Sequence, residues 1–270
     1  MIRLIVANRK GGCGKTMLSF NLAGSLAARG KRVLLMDLDP QASLSEILHR
    51  YPDEVEVPIS RILVNGHLRD ALIETEIPEI DFVPADEGLS DINYGIDPVT
   101  RRTIRGRERL LADLLARSEE VVEGYDVIVI DTPPDTKGEV TSTALVAADL
   151  IVVPIDPRPG ARGAASDIVM LCDELRPFSV REMQLALVLN RLKTQTGSYD
   201  LQAAEAAKEA FGELACETLV PSWLAFPKAA EDGLPVALVK GRDFRRAAKV
   251  LEQLVDELDE IMAGQLGGLE

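Results

Sequence analysis

Residues 4–7, Leu-Ile-Val-Ala, run almost directly into Lys10-Gly11-Gly12-Cys13-Gly14-Lys15-Thr16, and no other stretch restricts the fold of this chain as much. A short apolar strand, a glycine-rich turn and a Lys-Thr pair opening a helix form a phosphate-binding loop. The glycines let backbone N–H groups curl around a polyphosphate, the lysine adds a point charge, and the hydroxyl ligates Mg²⁺. The positive end of the following helix reinforces the same field. Lys15 and Thr16 take those parts, and Gly11, Gly12, Cys13, Gly14 and Met17 complete the expected nucleotide contacts. The spacing G-x-x-x-x-G-K-[ST] would place its first glycine at position 9. This chain has Arg9 there, and a second lysine, Lys10, sits just inside the loop.

Apolar runs alternate with longer amphipathic stretches, the pattern of βαβ units on a parallel sheet. Strands are expected over 4–7, 33–37, 80–84, 126–131, 150–154, 185–190 and 217–220. Helices are expected over 16–29, 104–118, 141–147, 161–174, 199–211 and 244–262, with Gly30 stopping the first. Several strands are continuous Val/Ile/Leu runs, as strands covered on both faces require. With 270 residues, 46% hydrophobic and only 4% aromatic, the core is expected to be aliphatic. The expectation is a doubly wound, mostly parallel α/β domain over 1–262, with a frayed tail over 263–270.

Two further motifs end in carboxylates at strand ends, where an open parallel sheet binds its ligand. Asp37-Leu38-Asp39-Pro40-Gln41 follows the second strand, and strand alternation puts Asp37 and Asp39 on one face. One carboxylate can orient water and the other support the metal shell. The strand Val127-Ile128-Val129-Ile130 ends in Asp131-Thr132-Pro133-Pro134, an arrangement that aims a carboxylate at Mg²⁺.

With K-G-G-x-G-K-T, D-x-D-P-Q and the apolar strand ending in D-T-P-P, the chain resembles the ParA/MinD family of deviant Walker A P-loop ATPases. It looks like a small form without an N-terminal DNA-binding domain, since Met1 leads almost directly into the first strand. The resemblance implies ATP and Mg²⁺ as ligands. It implies that Lys10 reaches across an ATP-bound homodimer while Lys15 acts in cis, and that Asp39 positions the attacking water. Thr16 and Asp131 would hold the metal with Asp37 in support, and residues 135–138 would form a mobile loop sensing the γ-phosphate. It also implies that Asn190 reads the adenine edge and that Pro221 approaches the base through its backbone. Relatives usually continue Pro-Arg there, whereas this chain reads Pro221-Ser222-Trp223; Met17 likewise stands for a usual Thr or Ser. A late Glu231-Asp232-Gly233-Leu234-Pro235 resembles the family's E-x-G-x-P. The likeness is weakest over 49–77 and in the tail.

A net charge of −14 argues against a surface coated for nucleic acid but leaves room for local patches. Arg101, Arg102, Arg105, Arg107 and Arg109 form one cluster near a helix start, where the helix dipole does not favour them. Lys228, Lys240, Arg242, Arg245, Arg246 and Lys249 give residues 226–250 a charge of +3, whereas residues 251–270 carry −6. By resemblance the second cluster is the first candidate for sequence-independent DNA binding, with Lys228, Lys240, Arg242, Arg245 and Arg246 as its contacts. The acidic last helix should be repelled by anionic lipid, so no membrane attachment is expected. Cys13, Cys172 and Cys216 form no CxxC pair, and neither they nor His49 and His67 have metal-ligand spacing. A reducing cytoplasm and association with the nucleoid are expected.

The resemblance therefore implies a slow, Mg²⁺-dependent ATPase switch that segregates plasmid or chromosomal DNA and is reset by a centromere-binding or cargo-adaptor protein. The same engine positioning a protein cargo, and a nucleotide-bound regulator without turnover, remain open on the sequence alone.

Overall fold

A computed structural model describes residues 1–135, 138–158, 160–193 and 199–264. The first half contains β1 (Ile2–Val6), α1 (Lys15–Ala28), β2 (Val33–Asp37), α2 (Ser43–Leu48), α3 (Ile59–Asn65), β3 (Ile73–Glu74), β4 (Ile80–Val83), α4 (Leu89–Asn93), α5 (Leu110–Arg117) and α6 (Glu119–Val122). The second contains β5 (Val127–Asp131), α7 (Glu139–Ala147), β6 (Leu150–Ile155), α8 (Ala161–Leu175), β7 (Gln184–Leu192), α9 (Tyr199–Phe211), β8 (Ala215–Pro221), α10 (Ala225–Glu231) and α11 (Arg242–Gly264).

The strands form one sheet in the order β3-β4-β2-β5-β1-β6-β7-β8. Every pairing is parallel except the short β3–β4 pair. Residue parity divides each central strand between two cores. Ile5, Leu34, Met36, Ile128 and Ile130 face the layer that includes α3, α4, α5, α7 and α8. Leu4, Val6, Val33, Leu35, Val127 and Val129 face α1, α10 and α11. Each such side chain stabilises the fold by about 1.5–3 kcal/mol when buried. Two-sided covering is why these strands read as unbroken apolar runs.

The register aligns the functional strand ends. Val6 and Asp37 both lie opposite Asp131, so β1, β2 and β5 deliver their last residues to one edge beside the start of α1. Helix α1 is buried on nearly all sides because α11 covers what the sheet does not. At Gly24 a Cβ would stand 2.2 Å from the Pro235 side chain, so only glycine admits that proline against the helix. Asn21 Oδ1 then accepts the Val236 N–H at 2.9 Å. This docking gives the Glu231–Pro235 segment its structural role.

All seven expected strands are present, with ends shifted by a few residues. Gly30 lies at φ +76° immediately after the Arg29 cap, as the stop signal requires. The helix expected over 104–118 is corrected: a 3₁₀ turn occupies Arg107–Arg109 and the α-helix starts at Leu110. Gly106 at φ +63° and an antiparallel bridge between Ile96 and Thr103 keep the arginine-rich segment out of the helix. The tail is corrected as well, because Ala263 and Gly264 belong to α11; residues 265–270 lie outside the described residues, as do 136–137 of the expected γ-phosphate loop.

Candidate functional site

The loop after β1 has the backbone that its glycines predict. Gly12 and Gly14 lie at φ +73° and +93°, and Gly14 caps α1 in a left-handed conformation. Lys15 is buried at the first position of α1, close enough to Asp131 and Cys13 to act on their charges. Cys13 is fully buried, and burial pushes its thiol up despite Lys15, which disfavours a thiolate there. Cys172 and Cys216 are buried core thiols pushed up to about 12 by burial.

Lys10 is held within its own chain. Its Nζ is 2.8 Å from Asp156 Oδ1, a carboxylate with 1% exposure at the end of β6. Arg158 pairs with the other oxygen of Asp156 and donates from Nη2 to the Gly12 carbonyl at 2.7 Å. Arg191 also donates to that carbonyl. One buried anion thus organises Lys10 and the loop crown together.

The carboxylates divide their work. Asp37 is buried, and its Oδ2 accepts from the Ser45 N–H and hydroxyl, both at 2.9 Å. Its Oδ1 accepts the Asp39 N–H at 3.0 Å. These bonds make Asp37 the organiser of the loop that carries Asp39, whose Oδ1 accepts the Gln41 N–H at 2.9 Å. Asp131 Oδ1 accepts a hydrogen bond from the Ser19 hydroxyl at 3.0 Å, and the Thr16 hydroxyl lies near enough to favour its charged form. Its Oδ2 is buried without a hydrogen-bond partner. Burial raises Asp131 to about 7, with Asp37 opposite adding repulsion and Thr16, Lys15 and Ser19 opposing the rise. Burial likewise raises Asp37 to about 6. An orphaned buried carboxylate oxygen beside a threonine hydroxyl fits a hydrated divalent cation, since hard cations take oxygen donors and keep several waters.

A cavity of about 450 Å³ opens beside the loop, lined by Gly14, Met17, Asn190, Pro221, Trp223 and Leu251 among others. Asn190 and Pro221 both line this cavity. The Asn190 amide also acts on the loop: Nδ2 donates to the Cys13 carbonyl at 2.9 Å, and Oδ1 accepts the Arg191 N–H at 3.0 Å. A Cβ on Gly14 would stand 2.5 Å from that Nδ2, so Gly14 is required by contact as well as by its φ.

The sequence model of the AAA domain family matches residues 2–185. The chromosome partitioning protein ParA of Caulobacter vibrioides (strain NA1000 / CB15N) is 30% identical over 236 residues, covering 87% of this chain and 86% of ParA. This chain belongs to the ParA/MinD family of ATPases. The sporulation initiation inhibitor protein Soj of Bacillus subtilis (strain 168) is 29% identical, covering 94% and 97% of the two chains. Among solved structures, a Cyanothece McdA variant in complex with ATP superposes with a TM-score of 0.79 at 19% identity, covering 96% of each chain. Cobyrinic acid a,c-diamide synthase from Mycobacterium smegmatis, with bound ATP analogue and magnesium, gives 0.75 at 23% identity, covering 96% of this chain and 94% of that one. The shared fold is the doubly wound sheet expected from the sequence.

The two basic clusters of this ParA/MinD-family chain differ in how they are used. In the first, Arg101 pairs with Asp91, Arg107 with Glu139 at 2.8 Å and Arg109 with Asp113 at 3.5 Å. Among the described residues only Arg102 and Arg105 of that cluster lack a carboxylate partner. In the second, Lys228, Lys240, Arg242, Arg245, Arg246 and Lys249 are all exposed, and none is ion-paired among the described residues. They lie on α10, before α11 and on its first two turns. His67 pairs with Glu120 at 2.9 Å, and no cluster of metal-ligating residues occurs among the described residues.

Sequence reasoning missed Ser19, Ser45, Asp156 and Arg158. Ser19 lies one helical turn after Lys15, so its spacing was readable. Ser45 sits on the short α2, eight residues after Asp37, with no motif to mark it, whereas Asp156 and Arg158 come from the end of β6, 146 positions from Lys10 and Gly12.

Proposed function

We propose that this chain is a ParA-type DNA-partition switch that pairs on ATP, binds duplex DNA without sequence preference, and is reset by partner-stimulated hydrolysis. The observation that carries the DNA half is the run of exposed cations from Lys228 to Lys249, none ion-paired among the described residues, on a chain of charge −14. In the arginine cluster, by contrast, three of the five cations have carboxylate partners. Unpaired cations at one end of a molecule suit a polyanion. Residues 1–262 act as one ATPase unit.

In the nucleotide half, Gly11, Gly12, Cys13, Gly14 and Lys15 bind the phosphates, with Thr16 and Met17 opening α1 beneath them. Thr16 and Asp131 would hold Mg²⁺, with Ser19 orienting Asp131 and Asp37 fixing the adjoining loop. The metal supplies charge neutralisation at the phosphate oxygens. Asp39 orients the attacking water, and Lys15 stabilises the charge that develops on the phosphate. Lys10 completes the partner's site after leaving Asp156. Turnover is slow because the paired state has to persist as a signal. The reset partner is a centromere-binding or cargo-adaptor protein, and the working place is the nucleoid.

A binding titration of duplex DNA with no nucleotide, ADP and ATP, each with Mg²⁺ and at two salt concentrations, tests this reading. Salt-sensitive binding with ATP alone is expected. Nucleotide-driven pairing without DNA binding in any state would refute the DNA half and direct attention to a protein cargo.

A further inference from the structure

The cavity beside the loop and the basic end of α11 meet at one side chain. Trp223, the single tryptophan of the chain, follows the end of β8 and lines the cavity. It is half-buried, and the Arg246 guanidinium carbon stands 4.3 Å from its ring centroid. A guanidinium at that distance is held by the ring quadrupole. With one indole face taken, a flat ligand in the cavity meets the other face or the edge. Pro221, Leu224 and Phe226 make the surrounding wall apolar, which suits the face of a base better than a sugar or phosphate.

A guanidinium held over a ring can still present N–H donors at its edge. Arg carries five donors around that edge, matched to phosphate oxygens. Arg246 is exposed, beside Arg242 and Arg245 on the first turns of α11. The same guanidinium can therefore rest on Trp223 and face a DNA backbone at once.

We propose that Trp223 is the stacking platform for the nucleobase and that Arg246, stacked on it, couples base occupancy to DNA affinity. This rests on the reading of the cavity as the nucleotide site and of α11 as the DNA-facing helix. A base that fixes the indole also fixes Arg246 and the start of α11. By linkage, DNA held by that helix tightens nucleotide binding by the same factor.

The test uses the full chain with a non-hydrolysable ATP analogue and Mg²⁺, with inorganic tripolyphosphate as the baseless control. Trp223 is the sole indole, so its emission reports the cavity directly. The analogue is expected to change the emission, and tripolyphosphate to leave it unchanged. Equal responses, or none with the analogue bound, overturn the platform. Trp223→Leu is expected to weaken analogue binding about tenfold or more, and Trp223→Phe to retain most of it, as base stacking on an aromatic ring predicts.

Coupling is read by measuring analogue affinity with and without duplex DNA for wild type, Arg246→Gln, Trp223→Phe and the double variant. DNA is expected to tighten analogue binding in wild type. Each single substitution should reduce that enhancement, and the double no further than the stronger single. An unchanged enhancement in Arg246→Gln, or fully independent effects, overturns the coupling. A wild type that binds the analogue with the expected emission change but never binds DNA overturns the coupling through the DNA reading and leaves the platform standing. Wild type that binds DNA but shows no enhancement overturns the coupling alone.

Discussion

At the scale of single residues, buried carboxylates set the behaviour of the site. Asp131 rises to about 7 and Asp37 to about 6, against roughly 4 for a carboxyl in an unfolded chain. Between those values the folded chain holds protons that the unfolded chain has released. Stability from this pair is therefore fully present near pH 4 and is lost as pH rises through about 7. Asp131→Asn keeps the neutral form at every pH. Nucleotide-free Asp131→Asn should melt above wild type at pH 8, with the gap closing toward pH 5. A thermal-melt series over that range checks it, and a gap that stays constant or widens in acid contradicts the assignment of Asp131. Lys10 belongs to the same scale. Its ammonium rests 2.8 Å from Asp156, so action across a dimer requires it to exchange one buried anion for the partner's nucleotide. Lys10→Ala should abolish ATP hydrolysis and nucleotide-driven pairing while leaving nucleotide binding by the monomer within a few-fold. Phosphate release and sedimentation in parallel test both halves, and normal hydrolysis would remove Lys10 from the mechanism.

At the scale of elements, legibility followed length and apolar continuity. β5 and β6 are buried at every position, so their unbroken runs declared them. α2, α3 and α4 were not anticipated, because helices of six, seven and five residues complete too few turns to show a period. β3 is two residues long and sits at the antiparallel edge, below any sequence signal. In the site, the three motifs located the phosphate loop, Asp39 and Asp131 because each is a contiguous strand-to-loop signature. The Lys10–Asp156 pair was invisible, since its residues are 146 positions apart. The Gly24–Pro235 contact is an element-scale device of the same kind. Replacing a helical glycine by alanine ordinarily stabilises by about 0.8–1 kcal/mol. Here the new Cβ would meet Pro235 at 2.2 Å, and overpacking of a tight core costs about 1–3 kcal/mol. The contact should win, so Gly24→Ala should lower the urea midpoint. A midpoint at or above wild type would show that the Pro235 segment yields freely.

At the scale of the whole molecule, the arrangement of charge decides what the last helix can touch. The acidic end of α11 is folded into the body: Arg29 lies 2.7 Å from Asp256 and 3.4 Å from Asp259, and the Glu257 carboxylate accepts the N–H groups of Glu217 and Thr218. Those bonds fasten the helix to α1 and β8, and its remaining negative charge would oppose binding to an anionic lipid surface. No helix among the described residues is long and apolar enough to cross a membrane. The cations at the basic start of the same helix have no carboxylate partner among the described residues, and a phosphate backbone would neutralise them. Each phosphate contact on duplex DNA contributes about 0.9 to the slope of log affinity against log salt. Arg242→Ala combined with Arg245→Ala should therefore lower the slope for the ATP state by about two, with affinity falling evenly across DNA sequences. Arg102→Ala combined with Arg105→Ala should leave the slope within error, because most of that cluster is already committed to Asp91, Glu139 and Asp113. The reverse result, with the slope following Arg102 and Arg105, would move the DNA interface to the segment before α5. The two pairs of variants thus decide which end of this acidic molecule meets the polyanion.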